Sequence, residues 1–163
     1  MHSSAPKLLI VESHPIQYRT PVYAELNRLC PGSIHVVYAS DFSLRGGRDP
    51  GFGSSITWDT DLLTGYPATV LSSSLNHAPT GWNDLKGPGL PALVKRLRPQ
   101  AMLLTSLNYR YDHLAYALAR WHRIPIWMRC ETQDQAFGRP PLKNVLRSAC
   151  LLYTSDAADD RYR

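Results

Sequence analysis

Three observations predict a doubly wound α/β fold, a parallel sheet with helices on both faces. Short apolar runs alternate along the chain with stretches whose apolar residues recur at helical spacing. Pro and Gly punctuate the junctions between the two kinds of segment. The strand candidates are nearly continuous apolar runs, the pattern of strands buried on both faces. With 163 residues, 44% of them hydrophobic and 19% charged, the chain has the size of one domain and enough apolar surface to exclude a disordered one.

Residues Lys7–Glu12 are the first strand. Thr20 is placed to cap a helix and Pro21 suits its first turn, where no N–H is needed. Val22, Leu26 and Leu29 share its apolar face until Pro31 and Gly32 stop it. Ser33–Tyr38 is the second strand, and the strand–helix–strand unit predicts a right-handed crossover between parallel neighbours. Residues 41–89 interrupt the alternation and hold eight of the ten glycines. Ile56, Trp58, Leu62, Leu63 and Tyr66 make this segment a packed one, with short strands expected at Ile56–Trp58 and Ala68–Leu71. Beyond it, Leu90, Leu93, Val94 and Leu97 line a helix that Pro99 ends, and Ala101–Thr105 is the next strand. Asp112 is placed to cap a helix striped by Leu114, Ala117, Leu118 and Trp121, followed by a strand over Ile124–Met128 with Pro125 at its start. Leu142, Val145, Leu146 and Ala149 repeat the helical spacing after Pro140 and Pro141. Strands alternating with helices in this way define the α/β class.

Several function classes recede. No apolar run approaches the roughly 18 residues that a bilayer-spanning helix needs, and Leu8–Val11 is too short for a signal-peptide core, so a cytoplasmic protein is expected. Cys30, Cys130 and Cys150 are odd in number and widely spaced, which speaks against a disulfide framework or a zinc site. The net charge of +5 suits an anionic ligand or surface. It comes without a run of like charges or interleaved aromatic and basic residues, so no nucleic-acid partner is expected. The six histidines form no ligand cluster in sequence, and neither His-Glu-x-x-His nor Gly-x-Ser-x-Gly occurs. Gly46, Gly47, Gly51 and Gly53 do not compose a phosphate-binding loop, since no strand runs into them. No metal and no tightly held cofactor is expected.

Ligands of an open parallel sheet lie beyond the carboxyl ends of the strands, where the strand order reverses. Three loops reach that edge: Ser13–Tyr18, Ser106–Asn108 and Arg129–Thr132. They carry an imidazole (His14), amides (Gln17, Asn108), a phenol (Tyr18), a guanidinium (Arg129) and a carboxylate (Glu131). That set suits a polyhydroxyl ligand and proton transfer. Each has a plainer reading: His14 as a hydrogen-bonded turn residue, Gln17 and Tyr18 as helix caps, Arg129 with Glu131 as a structural ion pair.

His14–Tyr18 with Pro21, Gly51 and Gly53, the string Trp58, Asp59, Asp61, Leu62, Leu63, Gly65 and Tyr66, and the stretch from Ile124 to Arg129 and Glu131 carry a resemblance. Over about residues 7–149 the chain resembles the amino-terminal domain of bacterial family-four glycosyltransferases, a Rossmann-like half of a GT-B fold. The most specific part is the Trp-Asp-x-Asp-Leu-Leu-x-Gly-Tyr string. Many relatives carry a glycine pair where this chain has His14, Pro15 and Ile16. The resemblance implies retaining, metal-independent transfer of a sugar from a nucleotide-sugar co-substrate to a glycan or lipid-linked acceptor. It implies that His14 lies near the sugar and diphosphate and that Gln17 and Tyr18 shape the acceptor side. Glu131 would be the polar catalytic residue, with Arg129 to orient it; Asn108 is expected among the substrate contacts from its place on the edge loop alone. Trp58 and Asp59 read more simply as residues packed against the sheet. A second, donor-binding half would supply the groups that neutralise the departing diphosphate, and the present chain alone is expected to be inactive.

Residues from about Cys150 break from that pattern and resemble a translated sequencing adapter, so the native sequence is expected to end near residue 149; a genuine frayed terminus is the alternative. The basic residues Arg120, Arg123, Arg139, Lys143 and Arg147 suit either a peripheral membrane contact or a solvated helix face. The competing functional class is a non-catalytic, flavodoxin-like binding or regulatory module.

Overall fold

The computed structural model describes residues 6–45, 61–73, 75, 79–129, 145 and 148–150. In chain order these form β1 (Leu8–Glu12), α1 (Thr20–Leu29), β2 (Ile34–Tyr38), a 3₁₀ turn (Phe42–Arg45), β3 (Ala68–Val70), α2 (Leu90–Leu97), β4 (Ala101–Leu104), α3 (Arg110–Trp121) and β5 (Ile126–Met128). The five strands make one sheet in the order β3-β2-β1-β4-β5, with every pairing parallel. This is the Rossmann strand order and differs from the 2-1-3-4-5 order of flavodoxin-like sheets. The order reverses between β1 and β4, which sets the switch point there.

The alternation of side chains along β1 divides the core. Leu9 and Val11 point to the α2/α3 side, where Val37, Met102, Leu104, Leu85, Leu90, Leu93, Val94, Tyr111, Ala115 and Ala119 close an apolar cluster. Ile10 points to the α1 side, with Val36, Tyr38, Tyr23 and Tyr66. Helices therefore cover both faces, as the sequence predicts.

The helix faces differ from the spacing-based expectation. On α1, Val22 and Leu29 are exposed, and Thr20 and Tyr23 are buried instead. Thr20 lies within the helix rather than capping it, and the residue ahead, Arg19, makes no side-chain cap. On α3, Ala117 is exposed and Trp121 is 84% exposed, while Tyr111, Ala115 and Ala119 face the sheet four residues apart. Alanines let that helix approach closely, and Tyr111 reaches across to donate a hydrogen bond to the Val37 carbonyl at 3.1 Å. Asp112 sits in the first turn of α3 rather than before it. Val145 and Ala149 face solvent, whereas Cys150 packs against the α2/α3 cluster. The short strand expected at Ala68–Leu71 is β3; the one expected at Ile56–Trp58 lies outside the described residues.

Two glycines are required by geometry. Gly87 has φ +63°, and a Cβ there would stand 2.3 Å from the Tyr111 ring. Gly65 has φ +93°, and its Cβ would meet that of Ala24 on α1 at 3.0 Å. The turn Asp61–Tyr66 docks on α1 through this approach: Asn27 donates to the Gly65 carbonyl at 2.9 Å. The Tyr66 hydroxyl lies 2.5 Å from the Leu62 carbonyl and 2.7 Å from the Tyr38 hydroxyl.

Candidate functional site

The carboxyl end of β1 carries a fully buried carboxylate, Glu12, on the α1 side of the sheet. Its partners come from three directions. Arg19, at the end of the β1–α1 loop, pairs with Oε2 at 2.7 Å. Tyr23, one turn into α1, donates its hydroxyl to Oε1. Thr105, just past β4, places Oγ1 2.9 Å from both Oε2 and the Val11 carbonyl, so its single proton is shared between them. Glu12 thereby ties the first loop, the first helix and the end of β4 together at the switch point. Desolvation of its carboxyl pushes its pKa above the ordinary carboxylate range, and the bonds from Tyr23, Arg19 and Thr105 oppose that rise without cancelling it. Burial, followed by the charge of Glu12, drives the Tyr23 phenol far upward, with Arg19 and Arg129 pulling the other way.

Loop Ser13–Tyr18 is held against β2. Ala39 and Ser40 donate backbone N–H groups to the carbonyls of Glu12 and Ser13 at 3.0 Å, extending the β1/β2 ladder past both strands. Ser43 donates to the Pro15 carbonyl at 2.8 Å. His14, half-buried, has Nδ1 3.0 Å from Ser13 Oγ and meets the Phe42 ring at a tilt, centroids 4.5 Å apart. It is thus placed on the β2 side of the loop. Tyr18 is 64% exposed, with the Arg19 guanidinium 5.6 Å from its ring centre. Gln17 is exposed and opens onto a cleft of about 370 Å³ beside α1, lined also by Thr20, Pro21, Ala24, Asp61, Leu62 and Thr64. Asp61 accepts from the Thr64 hydroxyl and the Leu63 N–H, which hold its carboxyl below the ordinary range.

The β4–α3 loop is organised by Asp112, a second buried carboxylate. Its Oδ2 accepts from Ser106 Oγ at 2.6 Å and from the N–H groups of Asn108 and Tyr109 at 2.8 and 3.0 Å. Burial raises its pKa while these bonds lower it, with burial ahead. Half-buried Asn108 therefore sits on a fixed backbone. Arg129 is exposed and follows β5, its N–H bonded to the Leu104 carbonyl at 2.9 Å. Glu131, Trp58 and Asp59 lie outside the described residues.

His14, Gln17, Tyr18, Asn108 and Arg129 thus all occupy carboxyl-edge loops. Within that edge His14 leans toward β2 and Gln17 toward the Asp61 turn. Glu12, Arg19, Tyr23 and Thr105 are not among the residues that the sequence motifs single out. The available signal was a charged residue ending an otherwise apolar strand, which must find partners if the strand is buried to its tip. Among the described residues, no three His, Cys, Asp or Glu side chains converge as a metal site would need, and no helix is long and apolar enough to cross a membrane. Compared with known protein families, curated proteins and solved structures, the chain finds no match.

Proposed function

We propose that this domain is the acceptor-side half of a glycosyltransferase that moves a sugar from a nucleotide-sugar to a glycan or lipid-linked acceptor. The observation that carries the reading is the cleft beside Gln17. It joins an amide, hydroxyls and one carboxylate to an apolar wall of Pro21, Ala24 and Leu62, and no cation is among its described lining residues. Such a lining suits a neutral hydroxylated ligand better than a phosphate. On the same carboxyl edge of the sheet, the Arg129 guanidinium brings positive charge for an anionic group. In the transfer the acceptor hydroxyl oxygen bonds the anomeric carbon, the bond to the diphosphate oxygen breaks with its electron pair, and the acceptor proton leaves with the diphosphate. His14, together with Glu131, contributes to that step, with Gln17, Tyr18, Asn108 and Arg129 as binding residues. Stabilisation of the leaving diphosphate falls to a partner half, so the chain by itself turns nothing over.

Saturation-transfer NMR of the full chain with a panel of glycosides and sugar nucleotides tests the reading. Transfer to a glycoside that Gln17→Ala abolishes is the expected result. Absence of any response, or sugar transfer by the chain on its own, overturns it. In the complete enzyme, alanine variants of His14 or Glu131 that keep the wild-type rate remove those residues from the mechanism.

A further inference from the structure

At the opposite end of the sheet, the C-terminal ends of α2 and α3 enclose a second cleft of about 430 Å³, lined by Val94, Lys95, Arg98, Pro99, His122 and Ile124. Both helices end there on left-handed residues, Arg98 at φ 46° and, just beyond His122, Arg123 at φ 56°. These turns bring the chain back to the starts of β4 and β5 and leave Val94, Pro99 and Ile124 as an apolar floor. Lys95, Arg98 and His122 form the rim, and no carboxylate is among the described lining residues.

The sequence of this half of the domain is strongly basic. Between residues 85 and 130 Lys and Arg occur eight times, and the acidic residues are Asp112 alone. Asp112 is buried in the first turn of α3, a helix length away from the cleft, and its Oδ2 is occupied by the Ser106–Tyr109 loop. Helix C-termini favour cations, but two such ends carry only about one negative charge between them. Lys95 and Arg98 exceed that, and Arg120 and Arg123 flank the same ends. Trp121, the last residue of α3 and the one before His122, is 84% exposed.

We propose that this cleft binds an organic phosphate with an apolar body: the phosphate meets Lys95, Arg98 and His122, and the apolar part lies on Val94, Pro99 and Ile124. A soluble aryl or alkyl phosphate and the headgroup region of an anionic phospholipid share that chemistry. The site stands apart from the carboxyl-edge cleft and does not depend on the glycosyltransferase reading.

The test titrates the full chain with phenyl phosphate, with inorganic phosphate, and with vesicles of phosphatidylcholine alone or mixed equally with phosphatidylglycerol. Amide resonances of Val94, Arg98, His122 and Ile124 are followed for the soluble ligands, and co-sedimentation for the vesicles. Phenyl phosphate is expected to shift those resonances and to bind more tightly than inorganic phosphate, because only it covers the apolar floor. Lys95→Gln with Arg98→Asn, the latter chosen because Asn tolerates the left-handed backbone, is expected to weaken binding by about tenfold or more. Retention on the mixed vesicles, lost in the same variant and in Trp121→Ala, assigns the lipid source; phenyl phosphate binding without retention assigns the soluble one. Binding that the charge-removing variant leaves unchanged, with its melting temperature intact, overturns the proposal, as does a failure of both phenyl phosphate and the mixed vesicles to bind.

Discussion

The two faces of the sheet are built on different principles. The α2/α3 face is closed largely by aliphatic side chains and alanines, and the fully buried Tyr111 hydroxyl donates to a backbone carbonyl. The α1 face packs Tyr23, Tyr38 and Tyr66 together, Tyr23 edge-on to Tyr66, and buries the Glu12–Arg19 pair at its upper end. An apolar face gains stability from burial and packing. A buried ion pair roughly breaks even against its desolvation, and what it contributes here is position: three chain segments are fixed where the strand order reverses.

The strongest way to break that contrast is to remove one partner of the pair. Arg19→Met leaves Glu12 buried without its cation and is expected to destabilise the fold by about 3–5 kcal/mol in urea unfolding. Adding Glu12→Leu to the same chain should recover most of the loss, because two apolar groups in place of a buried pair cost little. A double variant as unstable as Arg19→Met would show that the pair holds the face together by more than mutual charge compensation.

Truncation on the other face acts by a different route. Leu104→Ala is expected to cost about 2–5 kcal/mol through lost burial and the cavity left under α3. Here no second substitution of the Glu12–Arg19 kind should rescue it, since the deficit is volume rather than charge. Tyr23→Phe should cost less, about 1–3 kcal/mol, because it deletes one donor to a carboxylate that keeps Arg19 and Thr105.

The same contrast explains what was legible in the sequence. All five described strands fall where the sequence places them; β1 and β2, almost wholly buried, read most clearly because no polar alternation obscures them, whereas β3 has no fully buried residue and β5 exposes Trp127. The buried faces of α1 and α3 were legible only in part: Leu26, Leu114 and Leu118 pack against the core as their spacing predicts. Spacing rules weight Val22, Leu29 and Trp121, whereas packing selected Tyr23 and the small Ala115 and Ala119. The edge loops could be placed from topology alone, so His14, Gln17, Tyr18, Asn108 and Arg129 were within reach. The framework that positions them was not, because Glu12, Arg19 and Tyr23 are separated by an irregular loop whose path no local pattern encodes.

The smallest effect expected is a pH dependence, and it separates buried from exposed carboxylates. Burial raises the pKa of Asp112, so between the unfolded and folded values the folded chain holds a proton that the unfolded chain has released. Its contribution is therefore fully present below the ordinary carboxylate range and is lost as pH rises through the folded pKa. Glu12 acts with the same sign. Exposed Glu25, paired with Arg28, and Asp61 have lowered pKa values and act oppositely, losing their contribution as pH falls. Total stability mixes the two signs, but the difference between the wild-type chain and Asp112→Asn isolates one of them. Urea midpoints taken from about pH 4 to about pH 7 should show the wild-type advantage over the variant shrinking as pH rises. An advantage that grows with pH would mean that the hydrogen bonds from Ser106, Asn108 and Tyr109 outweigh burial, making Asp112 an ordinary stabilised cap and leaving Glu12 as the buried carboxylate that sets the edge apart.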